Sequence, residues 1–175
     1  MSRAFKSEGI VLKKRSLPSQ DIIVTIFSKE MGKIRVLAKG VKKISSKRLP
    51  HLQTGNIIGV VIYHSIEKKL YLQETALISG LSQIKKDSKK MSFLYFYFHL
   101  IDRLLPENQQ EFEIYNDVKR FLIDLSKSKA EISLLEKHLN ILLKKLGYIN
   151  KNGSLDELHK LVQELMNEKV PLIVI

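Results

Sequence analysis

Residues 21–40, DIIVTIFSKEMGKIRVLAKG, contain two strand patterns joined by a turn. Asp21–Phe27 is rich in β-branched residues, which favour strands. The next segment, Lys33–Lys39, has the period-2 alternation of a strand with Ile34, Val36 and Ala38 on one face and Lys33, Arg35, Leu37 and Lys39 on the other. Between them, Glu30-Met31-Gly32-Lys33 predicts a tight turn, because Gly32 can take a positive φ. Gly40 ends the second strand.

Three further segments have strand character, namely Phe5–Lys13, Asn56–His64 and Lys69–Leu77, the last two joined near Glu67-Lys68. Five short strands with turns at short intervals predict a small barrel over residues 1–80. A five-stranded OB-type barrel fits this count, although the pattern alone does not separate it from an SH3-like barrel.

The hydrophobic period changes to that of helices after about residue 85. Helices are predicted over Met91–Leu105, Glu111–Leu125 and Glu131–Leu146, with Gly147 as a C-cap of the last. A capping box, Ser154-Leu155-Asp156-Glu157, opens a fourth helix. The predicted fold class is therefore α+β, an N-terminal OB-type β-barrel (1–80) followed by an α-helical bundle (81–175).

Positive charge is concentrated in the first half of the chain. The formal net charge is +12, and residues 1–80 hold fifteen Lys or Arg against five Asp or Glu, whereas residues 81–175 hold fifteen against thirteen. Such asymmetry indicates a polyanionic partner, and nucleic acid is the first candidate. An anionic membrane surface or simple solubility would explain the same charge.

The segment Lys39–Arg48 is the most basic one, with five cations and two serines in a predicted loop after a strand. Lys and Arg neutralise phosphates, and serine hydroxyls add hydrogen bonds to phosphate oxygens. A solvated loop is the alternative interpretation. The predicted DNA-binding residues are Lys13, Lys14, Arg15, Lys33, Arg35, Lys39, Lys42, Lys43, Lys47 and Arg48.

Aromatic residues beside this charge would allow bases to stack. Phe5 and Phe27 are expected in the core. Tyr63 and Tyr71 are expected to pair across neighbouring strands, and the pattern leaves open whether either faces a ligand. In the helical half, Met91–Ile101 is apolar nearly all round, which predicts a buried central helix and leaves a partner-peptide groove as the alternative.

Candidate residues for catalysis are few, and we expect that the protein is not an enzyme. Cysteine is absent, which excludes disulfides and cysteine-based metal sites. The five His residues are dispersed and expected on surfaces or helix faces, and no phosphate-binding, dinucleotide or hydrolase motif occurs. We therefore predict no zinc, no metal requirement and no cofactor. Neither an export signal nor a membrane-length apolar run is found, so a soluble cytoplasmic protein is expected.

Four pieces of the first half, taken in order, resemble one known family. They are Glu8-Gly9-Ile10-Val11-Leu12-Lys13-Lys14-Arg15, then Asp21–Phe27, then Glu30-Met31-Gly32-Lys33, and then Ala38-Lys39-Gly40-Val41-Lys42-Lys43 with Ser46-Lys47-Arg48. Together they resemble the opening of the bacterial recombination mediator RecO. Farther along, Leu142–Tyr148 is similar to that family's "LLxxLGY" stretch.

The resemblance implies an N-terminal OB-fold, a helical domain and a non-enzymatic role in DNA repair and recombination. Such proteins bind single- and double-stranded DNA, anneal complementary strands, and work with RecR to load RecA onto strands coated by single-strand-binding protein. The chain departs from the family because the four-cysteine zinc motif that often follows "LGY" is missing, and because it is shorter than usual. An RNA- or ribosome-associated module remains the alternative.

The family's recognition of the acidic, aromatic-ended tail of single-strand-binding protein would need an apolar pocket with cations around it. Phe93, Tyr97 and Leu100 lie on one helix stripe and could form that pocket. Core packing explains the same stripe. Lysines and an arginine near the stripe could supply the cations, namely Lys85, Lys86, Lys89, Lys90 and Arg103.

Overall fold

The computed structural model describes residues 4–65 and 69–167. Its strands are β1 (Ala4–Ser16), β2 (Ile22–Ser28), β3 (Gly32–Ala38), β4 (Ile57–His64) and β5 (Leu70–Ser79). Its helices are α1 (Ser82–Lys85), α2 (Ser88–Leu104), α3 (Phe112–Lys127), α4 (Ile132–Lys145) and α5 (Leu155–Met166), and Leu49–Leu52 forms a 3₁₀ turn. The predicted turn at Glu67-Lys68 lies outside the described residues.

The five strands form a closed barrel in the order β1-β2-β3-β5-β4. Neighbours are antiparallel except β3 and β5, which run parallel where Leu37 pairs with Tyr71. The long strand β1 pairs with both β2 and β4, and its register shifts between Val11 and Lys13. A bulge of this kind bends the strand and helps a small sheet to close. The predicted fold class, an OB-type barrel followed by helices, is confirmed.

Alternating residues of every strand fill the barrel. The buried cluster includes Ile22, Val24 and Ile26 from β2, and Ile34, Val36 and Ala38 from β3, as the sequence pattern predicts. Phe5 packs against the same cluster. Phe27 is also fully buried, but on the outer side of the wall, where its ring lies 5.6 Å from that of Tyr115.

The segment Pro106–Tyr115 covers one end of the outer wall. Its backbone bridges to β3 at Lys33 and Glu107, and the N–H of Asn108 donates to the carbonyl of Lys33 at 2.9 Å. The hydroxyl of Tyr115 donates to Glu8 at 2.8 Å. This covering explains why Lys33 is only 4% exposed, although it alternates with core residues as predicted.

The four long helices occupy the predicted positions, and α1 adds a short helical turn before them. Gly147 has a φ of +79°, which suits a residue just beyond a helix C-terminus. Ser154 and Glu157 form both hydrogen bonds of the predicted capping box at the start of α5. These local signals depend on neighbouring residues alone, which is why they could be predicted from the sequence.

His138 lies on the buried face of α4. It is 1% exposed, and its Nε2 lies 3.0 Å from Asp124 Oδ2. Burial lowers the pKa of His138 below its usual value, while the hydrogen bond to Asp124 acts in the opposite direction. The ring also contacts Phe121 edge-on, so this histidine is part of the helical core.

The described residues divide into two compact units. One contains the residues up to Gly80 together with Pro106–Tyr115, and the other contains Leu81–Leu105 and the residues from Asn116 onward. The segment Pro106–Tyr115 is thus grouped with the barrel. The predicted domain limits, 1–80 and 81–175, stay a prediction.

A substitution at Gly32 tests whether the segment Pro106–Tyr115 packs closely against β3. Its φ is +71°, and a Cβ placed there would lie 1.7 Å from the carbonyl oxygen of Gln109. We expect Gly32→Ala to lower the free energy of unfolding by about 3 kcal/mol or more, because backbone strain adds to the clash. Chemical denaturation followed by circular dichroism measures the change.

Gly40→Ala is the matched control for this substitution. Gly40 has a similar φ of +62°, but an added Cβ would meet only the flexible side chain of Lys43 at 3.5 Å. Its cost should be about 1–2 kcal/mol, from backbone conformation alone. Equal destabilisation by the two substitutions would contradict the close approach of Gln109 to β3.

Candidate nucleic-acid interface

Two backbone N–H groups attach the basic loop, residues 39–48, to the turn between β1 and β2 by hydrogen bonds. The N–H of Gly40 donates to Asp21 Oδ1 at 2.7 Å, and the N–H of Lys42 donates to the carbonyl of Gln20 at 3.0 Å. The hydrogen bond from Gly40 lowers the pKa of Asp21, and the charges of Lys39 and Lys42 contribute to the same effect. Asp21 therefore stays ionised and helps to hold the basic loop in place.

Two cations of the basic loop also serve as anchors. Arg48 donates from Nη1 to the carbonyl of Leu72 at 2.9 Å and from Nη2 to the carbonyl of Lys39 at 2.6 Å. Lys42 Nζ donates to the carbonyl of Leu17 at 2.6 Å. Because the side chains of Arg48 and Lys42 already donate to carbonyls of the protein, only some of the cations of the basic loop are left to contact a ligand.

The ten predicted DNA-binding residues therefore differ in availability. Apart from Arg35, six of them are exposed, namely Lys13, Lys14, Arg15, Lys39, Lys43 and Lys47. Arg35 is exposed but forms an ion pair with Glu107 at 2.6 Å. Lys33 corrects the predicted set, because the covering segment Pro106–Tyr115 buries it. The interface as a whole stays a prediction.

The exposed cations cluster because the basic loop is attached to the turn that follows β1. Lys13, Lys14 and Arg15 lie near the C-terminal end of β1, and the turn at 17–21 begins immediately after it. The hydrogen bonds from the basic loop to Leu17, Gln20 and Asp21 bring Lys43 and Lys47 to the same end of the barrel. The sequence separates these two groups by about thirty residues, and the fold joins them.

Tyr63 and Tyr71 stack on each other across β4 and β5, as predicted. Their ring centroids are 5.2 Å apart with planes inclined by 15°. Lys39 Nζ lies 4.5 Å from the centroid of Tyr71, a cation–π distance. An aromatic pair with a cation beside it thus lies on the barrel wall, next to the basic loop.

One row of paired residues crosses the outer wall of the barrel. Arg15 pairs with Ile23, Ile23 with Leu37, Leu37 with Tyr71, and Tyr71 with Tyr63. Paired residues share a face of the sheet, and the residues on either side of Ile23 and Leu37 fill the core, so the row faces outward. We call these five residues the outer row.

A cleft of about 480 Å³ opens over part of the outer row. Its apolar lining includes Leu17, Ile23, Leu37, Leu70 and Tyr71, and its polar lining consists of Arg35, Lys69, Glu107 and Asn108. No pattern in the sequence had indicated Lys69, Glu107 or Asn108 as site residues. The latter two come from the loop after α2, and no local pattern indicates that this loop returns to the barrel.

Of the two interpretations of the stripe on α2, core packing is confirmed and the apolar pocket is wrong. Phe93, Tyr97 and Leu100 are each 0% exposed, and Tyr97 stacks on Phe121 with ring centroids 4.2 Å apart. Lys90, one of the proposed cations, is also buried and donates to the carbonyl of Ser126 at 3.3 Å. The stripe is core, because α2 is apolar nearly all round and is packed accordingly.

Within residues 4–65 and 69–167, no group of three or more His, Asp or Glu side chains could hold a metal ion. The predicted lack of zinc stays a prediction. In the same residues, no helix has the length and apolar character needed to cross a bilayer.

Residues 1–81 match the family model described as Recombination protein O N terminal. This match covers the barrel, its cation-rich end and the outer row. The chain resembles RecO. Curated relatives named DNA repair protein RecO support the same resemblance over a longer stretch, which extends into the helices.

Three of these RecO proteins show the extent of the similarity. Those of Caldanaerobacter subterraneus subsp. tengcongensis and Clostridium acetobutylicum are 28% identical over 148 and 152 residues, or 84% and 87% of this chain. The RecO of Ehrlichia chaffeensis is 30% identical over 147 residues, or 82% of this chain. The matched stretches span 60%, 60% and 58% of these RecO proteins, so the chain covers about three fifths of their length.

Substitutions of Arg48 and of its neighbour Lys47 can distinguish a cation that anchors the basic loop, Arg48, from one that is exposed, Lys47. Arg48→Ala should lower the free energy of unfolding by about 1–3 kcal/mol, because two charged hydrogen bonds to carbonyls are lost. Lys47→Ala, the matched control, removes an exposed side chain and should have almost no effect. Thermal unfolding of both variants measures the difference, and an unchanged midpoint for Arg48→Ala would show that the anchor is not needed.

Proposed function

We propose that this chain is a DNA-binding protein of DNA repair and recombination, and that its barrel binds the sugar–phosphate backbone. The observation that carries the proposal is the gathering of Lys13, Lys14, Arg15, Lys43 and Lys47 at one end of the barrel. Its similarity to proteins named DNA repair protein RecO supports the same role. The proposal includes no catalytic step.

Binding would be independent of base sequence. Lysine and arginine side chains on loops and strand ends neutralise phosphates and release counterions, which gives affinity without reading base edges. The interface offers flexible lysines in the basic loop and no helix for insertion into a major groove. Both single- and double-stranded DNA present the phosphates that such a surface needs.

The finer role follows the resemblance to RecO. We propose that the chain anneals complementary strands and, with RecR, helps load RecA onto strands coated by single-strand-binding protein. Annealing fits a surface that neutralises phosphates, because the repulsion between two strands falls when their charges are screened. A site for the tail of single-strand-binding protein, if the chain has one, is not the buried stripe of Phe93, Tyr97 and Leu100.

Affinity for single-stranded DNA should fall steeply with salt. If about 4–6 phosphates are neutralised, log K against log salt should have a slope of roughly −3 to −4. Fluorescence anisotropy of a labelled strand at increasing potassium chloride measures this slope. A flat dependence would refute binding through phosphates.

The double substitution Lys43→Glu with Lys47→Glu should weaken DNA binding by about tenfold or more, because it reverses charge in the basic loop without removing an anchor. Annealing of complementary strands, with and without single-strand-binding protein, should slow in parallel. The thermal midpoint should stay close to that of the unaltered protein, since both side chains are exposed.

Lys151→Glu with Lys160→Glu is the control, because it makes the same change in net charge at exposed positions of the helical unit. If both double variants lose affinity equally, net charge and not the basic loop governs binding. Competition between DNA and structured RNA tests the choice of nucleic acid. Much stronger competition by RNA would overturn the assignment to DNA repair.

A further inference from the structure

The basic loop carries one large apolar side chain that is fully exposed. Ile44 has a relative exposure of 107%, so it is as accessible to solvent as it would be in an extended peptide. The same loop has an apolar core within reach, because Val41 is completely buried in the barrel cluster and Leu49 packs against that cluster. Ile44 is therefore held outside a core that its neighbours help to build.

Ile44 lies at the tip of a tight turn. The N–H of Ser46 donates to the carbonyl of Lys43 at 2.9 Å, which closes a four-residue β-turn with Ile44 as its second residue. The turn before it is closed by the N–H of Lys43, which donates to the carbonyl of Gly40 at 3.2 Å. The exposed side chain thus projects from a hydrogen-bonded backbone.

Anchors on both sides hold this backbone in place. The N–H and the side chain of Lys42 donate to carbonyls of the turn between β1 and β2, and the guanidinium of Arg48 donates to the carbonyl of Leu72 in β5. A side chain can be pushed between stacked groups only if its backbone does not yield. The anchors give Ile44 this support before any ligand is bound.

The residues around Ile44 suit a ligand whose apolar surface lies next to phosphates. Lys43 and Lys47 are exposed on either side of it, and residues 39–48 contain no Asp or Glu. Duplex DNA has apolar base faces directly inside its phosphate backbone. An anionic bilayer is the other such ligand, but bilayer affinity grows with each buried carbon, and the side chain of Ile44 has far fewer carbons than a fatty acyl anchor.

We propose that Ile44 is a wedge that inserts between two neighbouring base pairs of duplex DNA from the minor groove and kinks the duplex. Lys43 and Lys47 contact the phosphates beside that step. Minor-groove proteins combine apolar wedges of this kind with cations, and a narrow turn suits a groove about 6 Å wide. The inference rests on the proposed function and goes beyond it, because neutralised phosphates alone leave the base pairs stacked.

The wedge would make binding sensitive to how easily the DNA deforms. Steps of a pyrimidine followed by a purine, such as TA, unstack more readily than others, whereas A-tracts are stiff. The protein would therefore kink a duplex preferentially at its TA steps without contacting the edges of the bases.

The test uses the full chain and a duplex with 2-aminopurine in a TA step, because the fluorescence of this adenine analogue rises when its stacking is lost. The fluorescence should rise when the unaltered protein saturates the duplex. Ile44→Ser should abolish the rise, while its affinity for the duplex should fall by no more than about tenfold, since the lysines remain. Ile44→Met keeps an apolar wedge and should keep the rise.

Ile78→Ser is the matched control, because Ile78 is another exposed isoleucine of the barrel, in β5. It should give the same rise as the unaltered protein. No rise with the unaltered protein on a saturated duplex, or an equal rise with Ile44→Ser, would overturn the wedge and leave phosphate binding intact. Failure to bind either a duplex or a single strand at low salt would overturn the proposed function as well.

A second measurement observes the wedge from the protein side. The chain contains no tryptophan, so Ile44→Trp places a single indole at the tip of the turn. Stacking between base pairs should quench its emission when the duplex is added, and Ile78→Trp should not respond. Unchanged emission of Ile44→Trp on a saturated duplex would overturn the proposal, and a blue shift with anionic phospholipid vesicles in its place would assign the side chain to a membrane surface.

Discussion

The pairing of Leu37 with Tyr71 closes the barrel, and both the core and the candidate interface depend on it. It is the point at which β3 and β5 run parallel, while the other neighbouring strands are antiparallel. Among the described strands, this pairing joins β3 to β5 and closes the sheet on itself, which reduces the strand edge open to another chain. The same contact places Tyr71 beside Leu37, so one constraint creates the enclosed core and the apolar lining of the cleft over the outer row.

The charged residues at this end of the barrel have two roles: some hold the basic loop in place, and others are exposed to solvent. Arg48 and Lys42 hold the basic loop by donating to carbonyls. The ionised carboxylate of Asp21 also holds it by accepting a hydrogen bond from the backbone N–H of Gly40. Lys43 and Lys47 are exposed and can be offered to a phosphate. A fixed loop loses less conformational entropy when it binds, so the anchoring cations favour binding without contacting the ligand.

The segment Pro106–Tyr115 links the barrel's stability to its surface chemistry. Tyr115 covers Phe27, Gln109 lies against Gly32, and Glu107 pairs with Arg35. One short stretch thus buries an apolar patch, encloses a glycine turn and lowers the positive charge of the wall. It also limits the open part of the outer row to the end beside the basic loop.

Sequence by itself determined the strands, the helices, the capping box at Ser154 and the concentration of positive charge, because each depends on residues close together in the chain. It also indicated the resemblance to RecO through four ordered pieces. Only the tertiary structure decided that Lys33 and the stripe at Phe93 are buried, that Arg48 is an anchor, and that Glu107 lies at the cleft. These outcomes depend on which distant segments pack together. The alternation of a strand or the stripe of a helix shows which residues share a face, but it does not show which other segment covers that face.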